Sequence, residues 1–414
     1  MEEEKLNFVF NKGKSSIIKV IGVGGGGGNA VNHMFRQGIY NVDFIVCNTD
    51  NQALEDSPVQ TKIQLGYDGL GAGGIPKVAR EAAEESIDQI QQALSENTKM
   101  VFITAGMGGG TGTGAAPVVA EAAKKMDILT VGIVTIPFIF EGEEKINQAL
   151  NGVDEMSKYV DALLVINNEK LCEIYPDLDM HEGFAKADDV LLNAAKGISE
   201  IVTINGYINV DFADVNTTMR GGGVAIMNSG YGAGEDRITK AIDDALNSPL
   251  LNNNNIYKAK KILLNIYTSK TNPVKMNNIG EITAFMKKMG KSIHVIWGAT
   301  FDESLDDKVK ITIIATGFGI DNIIEDTKKV IDFDDEEEED DYHERSKSEP
   351  KTSEPTTSKH AHYDRFYEQK TKEQETVEPI SVEDLDDEDY LNKIASKNQG
   401  QRNSGSRFRP SNLV

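Results

Sequence analysis

Two groups of residues in this chain have the types and spacing for chemistry. The first is glycine crowded against a helix start: Gly108-Gly109-Gly110-Thr111-Gly112-Thr113-Gly114, and again Gly24-Gly25-Gly26-Gly27-Gly28-Asn29. The second is Asn209, Asp211 and Asp214, an amide and two carboxylates close together with Phe212 among them. Glycine loses more backbone freedom on folding than any other residue and contributes no side chain, so the density of 108–114 does not read as core packing. It reads as backbone that something approaches closely. Phosphate is the physical candidate, because the first N–H groups of a helix have no partner within it and carry the positive end of its dipole. A tight strand-to-helix turn that binds nothing explains one such loop equally well, but here there are two. Carboxylates can orient a water or help hold a cation; the plainer account of Asn209 to Asp214 is a loop whose last Asp caps a helix.

The frame that must hold these residues is legible as alternating strands and helices. Buried, β-rich runs are predicted over 17–23, 43–47, 101–104, 129–136 and 162–166, with helices over 30–37, 77–95, 115–125 and 143–160. Pro117 is expected near the first turn of its helix, where a missing N–H costs nothing. Loops at the carboxyl ends of parallel strands share one rim, where open α/β sheets bind ligands. That rim would gather both glycine loops, the loop 66–76, the turn Pro137-Phe138-Ile139-Phe140-Glu141-Gly142 and the segment after 166. A long helix over 185–203 follows, its apolar stripe made by Val190, Leu191, Ala194, Ile198, Ile201 and Val202, with Phe184 and Asp188 at its start. Beyond 222 come an apolar run at 224–227, helices over 235–246 and 276–289, and strands over 261–268, 293–298 and 310–316. Two helices against a mixed four-stranded sheet make a compact α+β domain without a catalytic cluster of its own.

Composition narrows the function. The 414 residues carry a net charge of -23, which argues against non-specific binding to nucleic acid or anionic membrane by the whole molecule. Part of that charge belongs to a polar tail opening at 332–341, DFDDEEEEDD, which is too poor in apolar residues to offset the entropy of ordering. Two cysteines, Cys47 and Cys172, suit a reduced cytoplasmic protein, and neither a signal peptide nor a membrane-spanning run is present. No Lys-Ser or Lys-Thr follows either glycine loop, which disfavours a P-loop nucleotidase. Gly22, Gly24 and Gly27 do satisfy G-x-G-x-x-G, and Asp50 follows the second strand where a dinucleotide-binding protein places its ribose-binding acid. An NAD-dependent oxidoreductase is therefore the competing reading, and Asp50 as a turn or cap residue is the alternative to it.

GGGTGTG at 108–114, VIGVGGGGGNAV at 20–31, CNTD at 47–50, PFIFEG at 137–142 and NVDFAD at 209–214 together resemble the tubulin/FtsZ family of GTPases, in order from about 17 to 319. The resemblance implies a tubulin-like α/β fold with a parallel sheet, a central helix and a smaller α+β second domain, followed by a disordered acidic tail. Its boundaries would be a flexible N-terminus over 1–16, a GTP-binding domain with the central helix over 17–207, a C-terminal domain over 208–320, and linker and tail over 332–414. The family's phosphate contacts fall on Gly25, Gly26, Gly27, Gly28, Asn29, Gly110, Thr111 and Gly112, with Glu141 and Lys145 near the nucleotide and Asp188 contacting guanine. A carboxylate at Asp188 can accept from guanine N1–H and the 2-amino group, a donor pair adenine does not offer.

The family's NxDxxD loop falls on Asn209, Asp211 and Asp214, which would act as catalytic residues on the nucleotide of a neighbouring subunit. The substrate is then GTP, with Mg2+ as the expected cation and no side chain assigned as its ligand. The implied partners are further copies of the chain, stacked head to tail into protofilaments, and division proteins and membrane tethers that dock on the C-terminal tail. The implied location is cytoplasmic, at the midcell division ring. A tubulin-like filament serving DNA segregation or another task keeps the same fold. Two features depart from the family pattern: Glu143-Glu144-Lys145 replaces a basic cluster ending in Arg, and the terminal docking peptide is matched only loosely, by Asp389 to Ile394 and a following basic tract.

Overall fold

The computed structural model describes residues 16–39, 41–95, 97–204, 206–246, 256–289 and 293–319, all within one compact unit. The acidic tail and nearly all of the N-terminal segment expected over 1–16 lie outside the described residues.

β1 (Ile18–Val23) runs into α1 (Gly24–Gln37), β2 (Asp43–Asn48) into α2 (Asn51–Glu55), and β3 (Thr61–Gln64) through a long loop into α3 (Pro76–Glu85) and α4 (Ile87–Ser95). β4 (Met100–Gly106) leads to α5 (Gly110–Lys125), β5 (Leu129–Ile136) to α6 (Glu143–Ser157), and β6 (Ala162–Asn167) to α7 (Glu169–Ile174) and α8 (Met180–Thr203). Then follow α9 (Phe212–Met219), β7 (Gly223–Gly232), α10 (Arg237–Leu246), β8 (Lys261–Thr268), α11 (Ile279–Met289), β9 (His294–Phe301) and β10 (Val309–Phe318).

The strands form one sheet in the order β3-β2-β1-β4-β5-β6-β7-β10-β8-β9. The first six are parallel, and their order reverses direction between β1 and β4. Open α/β sheets bind ligands at such a switch point, outside the carboxyl ends of the strands. Both glycine segments leave from there. β6 meets β7 over only two residue pairs, and beyond it β10 runs antiparallel to β7 and β8 while β9 is parallel to β8. These are the four mixed strands expected for the second half, but they continue the one sheet through β6–β7 instead of forming a sheet of their own; α10 and α11 cover them through Ile238, Ile242, Ile282 and Phe285.

Helices cover both faces of the parallel part. On one face α3, α4, α5 and α6 bury Ala79, Ile90, Val119 and Val153. On the other, α1 and α8 share a core through Val31, Met34, Leu191 and Ile198, and that core continues to Leu263 of β8 and Ile314 of β10. Each buried Leu, Ile or Met contributes about 1.5–3 kcal/mol relative to exposure, so the apolar stripe of α8 fastens the two halves of the sheet together.

Three local expectations are corrected. Helices α1 and α5 start within the glycine runs, at Gly24 and Gly110, not after them, which puts Pro117 inside α5 rather than in its first turn. The helix expected over 77–95 divides at Ser86, whose hydroxyl donates to Gln64 O and accepts from Gly66 N, tying the helix break to the loop after β3. The central helix begins five residues before 185, at Met180, because Asp179 and Glu182 form a reciprocal capping box there.

Candidate functional site

Most of the glycines meet the chain's own backbone. A Cβ on Gly27 would lie 2.2 Å from Thr104 O, on Gly112 2.3 Å from Gly106 O, and on Gly114 1.9 Å from Pro76 O. A Cβ on Gly110 would meet Ile75 N at 2.9 Å. The sequence reading that the glycine density of 108–114 has nothing to do with packing is therefore wrong for Gly110, Gly112 and Gly114. With Gly27 they let α1, α5 and the loop before α3 close on one another with backbone against backbone. Gly25, Gly28 and Gly109 are different: a Cβ on any of them has nothing within 4 Å, and none has a positive φ. Neither packing nor conformation requires glycine there, and Gly25 and Gly109 are exposed. These three line open space beside the starts of α1 and α5, where unpaired N–H groups and the helix dipoles favour an anion.

The same rim collects most of the other candidates. Gly26 and Gly27 lie in the first turn of α1 with Asn29 exposed just beyond, and a Cβ on Gly26 would stand 3.3 Å from Gly106 Cα. Thr111 Oγ1 is 2.7 Å from Thr49 Oγ1, linking α5 to the end of β2. Glu141 sits in a short 3-10 turn after β5, where its Oε1 accepts from Phe138 N at 3.1 Å, and its Oε2 lies 3.4 Å from Lys145 Nζ. Lys145 O would be 2.8 Å from a Cβ on Gly108, so the start of α6 abuts the second glycine segment. Phe138 stacks on Phe140 at 5.2 Å and meets Phe184 of α8 edge-on at 5.1 Å. Asp188 follows one turn along α8, and burial pushes its carboxyl up to about 6.

Two residues at this rim escaped the sequence reading. Gln148 Nε2 donates to Gly108 O at 2.9 Å, Gly109 O at 3.2 Å and Gly74 O at 3.2 Å, so one amide of α6 ties the second glycine segment to the loop before α3. A glutamine inside an amphipathic helix carries no sequence signal for such a role. Asn168 is buried directly after β6, and its Oδ1 has no hydrogen-bond partner among the described residues. Its place at the carboxyl end of a parallel strand was the available clue. Asp50, by contrast, accepts from Gln52 N and Ala53 N as the cap of α2, which gives its carboxylate the cap role and removes the main support for NAD.

Asn209, Asp211 and Asp214 are not brought to this rim. Asp188 and Thr203 are separated by 15 residues of continuous helix, which is ~22 Å at 1.5 Å per residue. Ile208 beyond it is bridged to Ala299 of β9, and Asp211 and Asp214 form the capping box of α9. At the far end of α9, Arg220 Nη1 lies 3.4 Å from Asp161 and 3.3 Å from Asp127, residues that precede β6 and β5. α9 therefore ends at the amino edge of the parallel strands, opposite the glycine rim. The cap is Asp211, not the last Asp as expected, with Asp214 reciprocating from the third helical position, so capping accounts for both carboxylates and not one.

Comparison with known proteins adds to this geometry. The family model described as Tubulin/FtsZ family, GTPase domain, matches residues 17–176, and FtsZ family, C-terminal domain, matches 223–319. Cell division protein FtsZ of Porphyromonas gingivalis is 55% identical over 326 residues, covering 78% of this chain and 71% of that protein. The chain belongs to the FtsZ family. Cell division protein FtsZ of Azotobacter vinelandii is 46% identical over 316 residues, spanning 75% of the chain and 79% of that protein. Among solved structures, an empty FtsZ dimer of M. jannaschii superposes with a TM-score of 0.67 at 41% identity, covering 73% of the chain and 88% of its own. The glycine rim thus lies within an FtsZ-family GTPase domain, and the four-stranded half with α10 and α11 falls within its C-terminal domain.

Proposed function

We propose that this GTPase builds the midcell division ring by stacking head to tail, and that each subunit completes GTP hydrolysis for its neighbour through Asn209, Asp211 and Asp214. The observation that carries this reading is the separation along α8. The glycine rim offers phosphate binding at one end, while the two carboxylates suited to orienting water lie beyond the other, too far to serve the same nucleotide. A second copy stacked rim to base brings them together. Such a contact joins unlike surfaces and propagates as an open filament.

In this reading the α- to γ-phosphates accept from N–H groups at the starts of α1 and α5, along Gly25, Gly26, Gly27, Gly28 and Asn29 and along Gly110, Thr111 and Gly112. The open space at Gly25, Gly28 and Gly109 leaves room for them. Asp188 accepts from guanine, and the orphaned Oδ1 of Asn168 supplies one more acceptor near the rim. Among the described residues no group of three His, Cys, Asp or Glu side chains could hold a metal ion. A Mg2+ would accordingly be held chiefly by phosphate and water oxygens, as this ion commonly is, and would neutralise phosphate charge. Asp211 and Asp214 of the next subunit orient the attacking water. Hydrolysis alters the phosphates at the contact and so loosens it. No helix among the described residues is long and apolar enough to cross a membrane; attachment to the membrane is assigned to tethers that dock on the C-terminal tail.

The test follows light scattering and phosphate release together after GTP, GDP, ATP or NAD is added with Mg2+. Scattering that rises with GTP alone, with turnover increasing more steeply than protein concentration, is the expected result. Turnover strictly proportional to concentration would refute hydrolysis between subunits.

A further inference from the structure

The helix that starts at the phosphate cradle also touches the helix that carries Asp188. α1 and α8 pack through Val31, Met34 and Leu191, and a charged bridge runs beside that contact. His33 Nε2 of α1 donates to Asp189 Oδ1 at 2.9 Å, and Lys186 Nζ donates to Asp189 Oδ2 at 3.1 Å. Both oxygens of Asp189 are thereby engaged. Asp188, mostly buried next to it, makes no hydrogen bond with any described residue, and the charged groups that act on it are His33 from α1 and Asp189 from its own helix.

We propose that His33 is a positioning residue for base recognition: bonded to Asp189 across the α1–α8 contact, its imidazole, when protonated, favours the anionic form of Asp188 that accepts from guanine. The proposal rests on the assignment of Asp188 to guanine. An ionised carboxylate can accept both guanine N1–H and the 2-amino group, whereas a protonated one turns a donor toward a donor. Burial and the charge of Asp189 both disfavour the anion, and a proton on the His33 ring opposes them. Since burial pushes Asp188 up to about 6, the anion predominates at neutral pH with little margin. GTP affinity should therefore hold above neutrality and fall as pH drops through that value. Because His33 lies one turn beyond Asn29 on the helix that begins at the phosphates, the grip on phosphate and the choice of base share one rigid element.

The experiment measures binding of a fluorescent GTP analogue to the full chain from mildly acid to mildly alkaline pH, with ATP as competitor. The proteins are wild type, His33→Gln, His33→Lys and Asp188→Ala. The nucleotide phosphates titrate identically in every case, so only differences between proteins count. His33→Gln keeps a donor toward Asp189 without charge, and the acid midpoint should move up. His33→Lys keeps the charge, and its midpoint should stay at or below that of wild type. A shift of up to about one pH unit corresponds to as much as about tenfold in affinity near the midpoint. If Asp188→Ala abolishes the preference for GTP but the two His33 variants shift together or not at all, His33 is a structural bridge only and the proposal fails. If Asp188→Ala leaves the preference intact, the assignment of Asp188 to guanine fails first, and the role of His33 with it.

Discussion

Asp211 and Asp214 each accept the other's backbone N–H: Asp214 N donates to Asp211 Oδ1 at 3.0 Å, and Asp211 N to Asp214 Oδ2 at 3.1 Å. The reciprocal pair starts α9 and fixes both carboxylates while using one oxygen of each. A capping role and a hydrolytic role predict different outcomes for the same substitution. Asp211→Ser retains a good cap, so its thermal stability should stay within about 0.5 kcal/mol of wild type, whereas Asp211→Ala should lose about 1 kcal/mol. If the carboxylate also orients water for a neighbouring subunit, both variants lose phosphate release while keeping GTP affinity. Either one mixed with wild type should then depress turnover by more than dilution does. Full turnover in Asp211→Ser would leave capping as the whole explanation.

How far the sequence reached depended on whether a residue's role was local. Most strand positions, the mixed strands of the second half and the rim of loops were legible because buried parallel strands are near-continuous apolar runs and the helical stripe of α8 recurs at 3.6 residues; β3, four residues long and largely exposed, carried no such run and was not expected. The starts of α1 and α5 were not, because glycine is the poorest helix former after proline and only tertiary contact with Thr104, Gly106 and Pro76 makes it the required residue. Gln148 was invisible for a related reason: its partners, Gly74 and Gly108, lie about 74 and 40 residues away in sequence. Asp50 and Asp188 were equally plain as acids in the sequence. Only the structure separates them, since one is occupied by Gln52 N and Ala53 N and the other has no hydrogen bond with any described residue.

Gln148 provides a test of whether the loops must be held together for binding. Gln148→Leu keeps the volume and removes the donor to Gly74, Gly108 and Gly109. With a net contribution of about 0.5–1.5 kcal/mol per hydrogen bond, and one NH2 group shared among three carbonyls, the loss should be about 1–2 kcal/mol. If the bonds preorganise the phosphate cradle, roughly a 5- to 30-fold weaker GTP affinity is expected by fluorescence titration. Gln148→Glu should be worse, because it turns carboxylate oxygens toward carbonyls. Unchanged affinity in both variants would separate Gln148 from the cradle.

The glycines divide into two testable classes. Gly112→Ala would place Cβ 2.3 Å from Gly106 O, a clash with backbone that cannot rotate away, and should destabilise the protein without nucleotide by several kcal/mol, on the order of the overpacking costs of cores. Gly28→Ala meets nothing within 4 Å. In the first turns of α1 it should raise the apo melting temperature slightly, since alanine is worth about 0.5–1 kcal/mol over glycine in a helix, while GTP binding weakens because the methyl occupies the phosphates' space. Stability and affinity falling together in Gly28→Ala would show that this glycine serves the fold after all.

Lys145 stands where the resemblance to the family leads one to expect Arg, and its surroundings say how it is used. Its Nζ lies 3.4 Å from Glu141 Oε2, and the side chain is 55% exposed, a pairing of modest strength that salt screens. Glu143 and Glu144 occupy the first turn of α6, where acids favour the helix dipole. They stabilise the helix while making the local field less favourable to a triphosphate. A guanidinium grips two oxygens in one plane, which an ammonium does not. Lys145→Arg should therefore raise GTP affinity or turnover several-fold, and Glu144→Gln should act in the same direction with a weaker salt dependence. The check is a GTP titration with phosphate release at low and high ionic strength. Should neither variant gain in affinity or rate, Lys145 already supplies all the charge this rim uses, and the family's Arg is not limiting here.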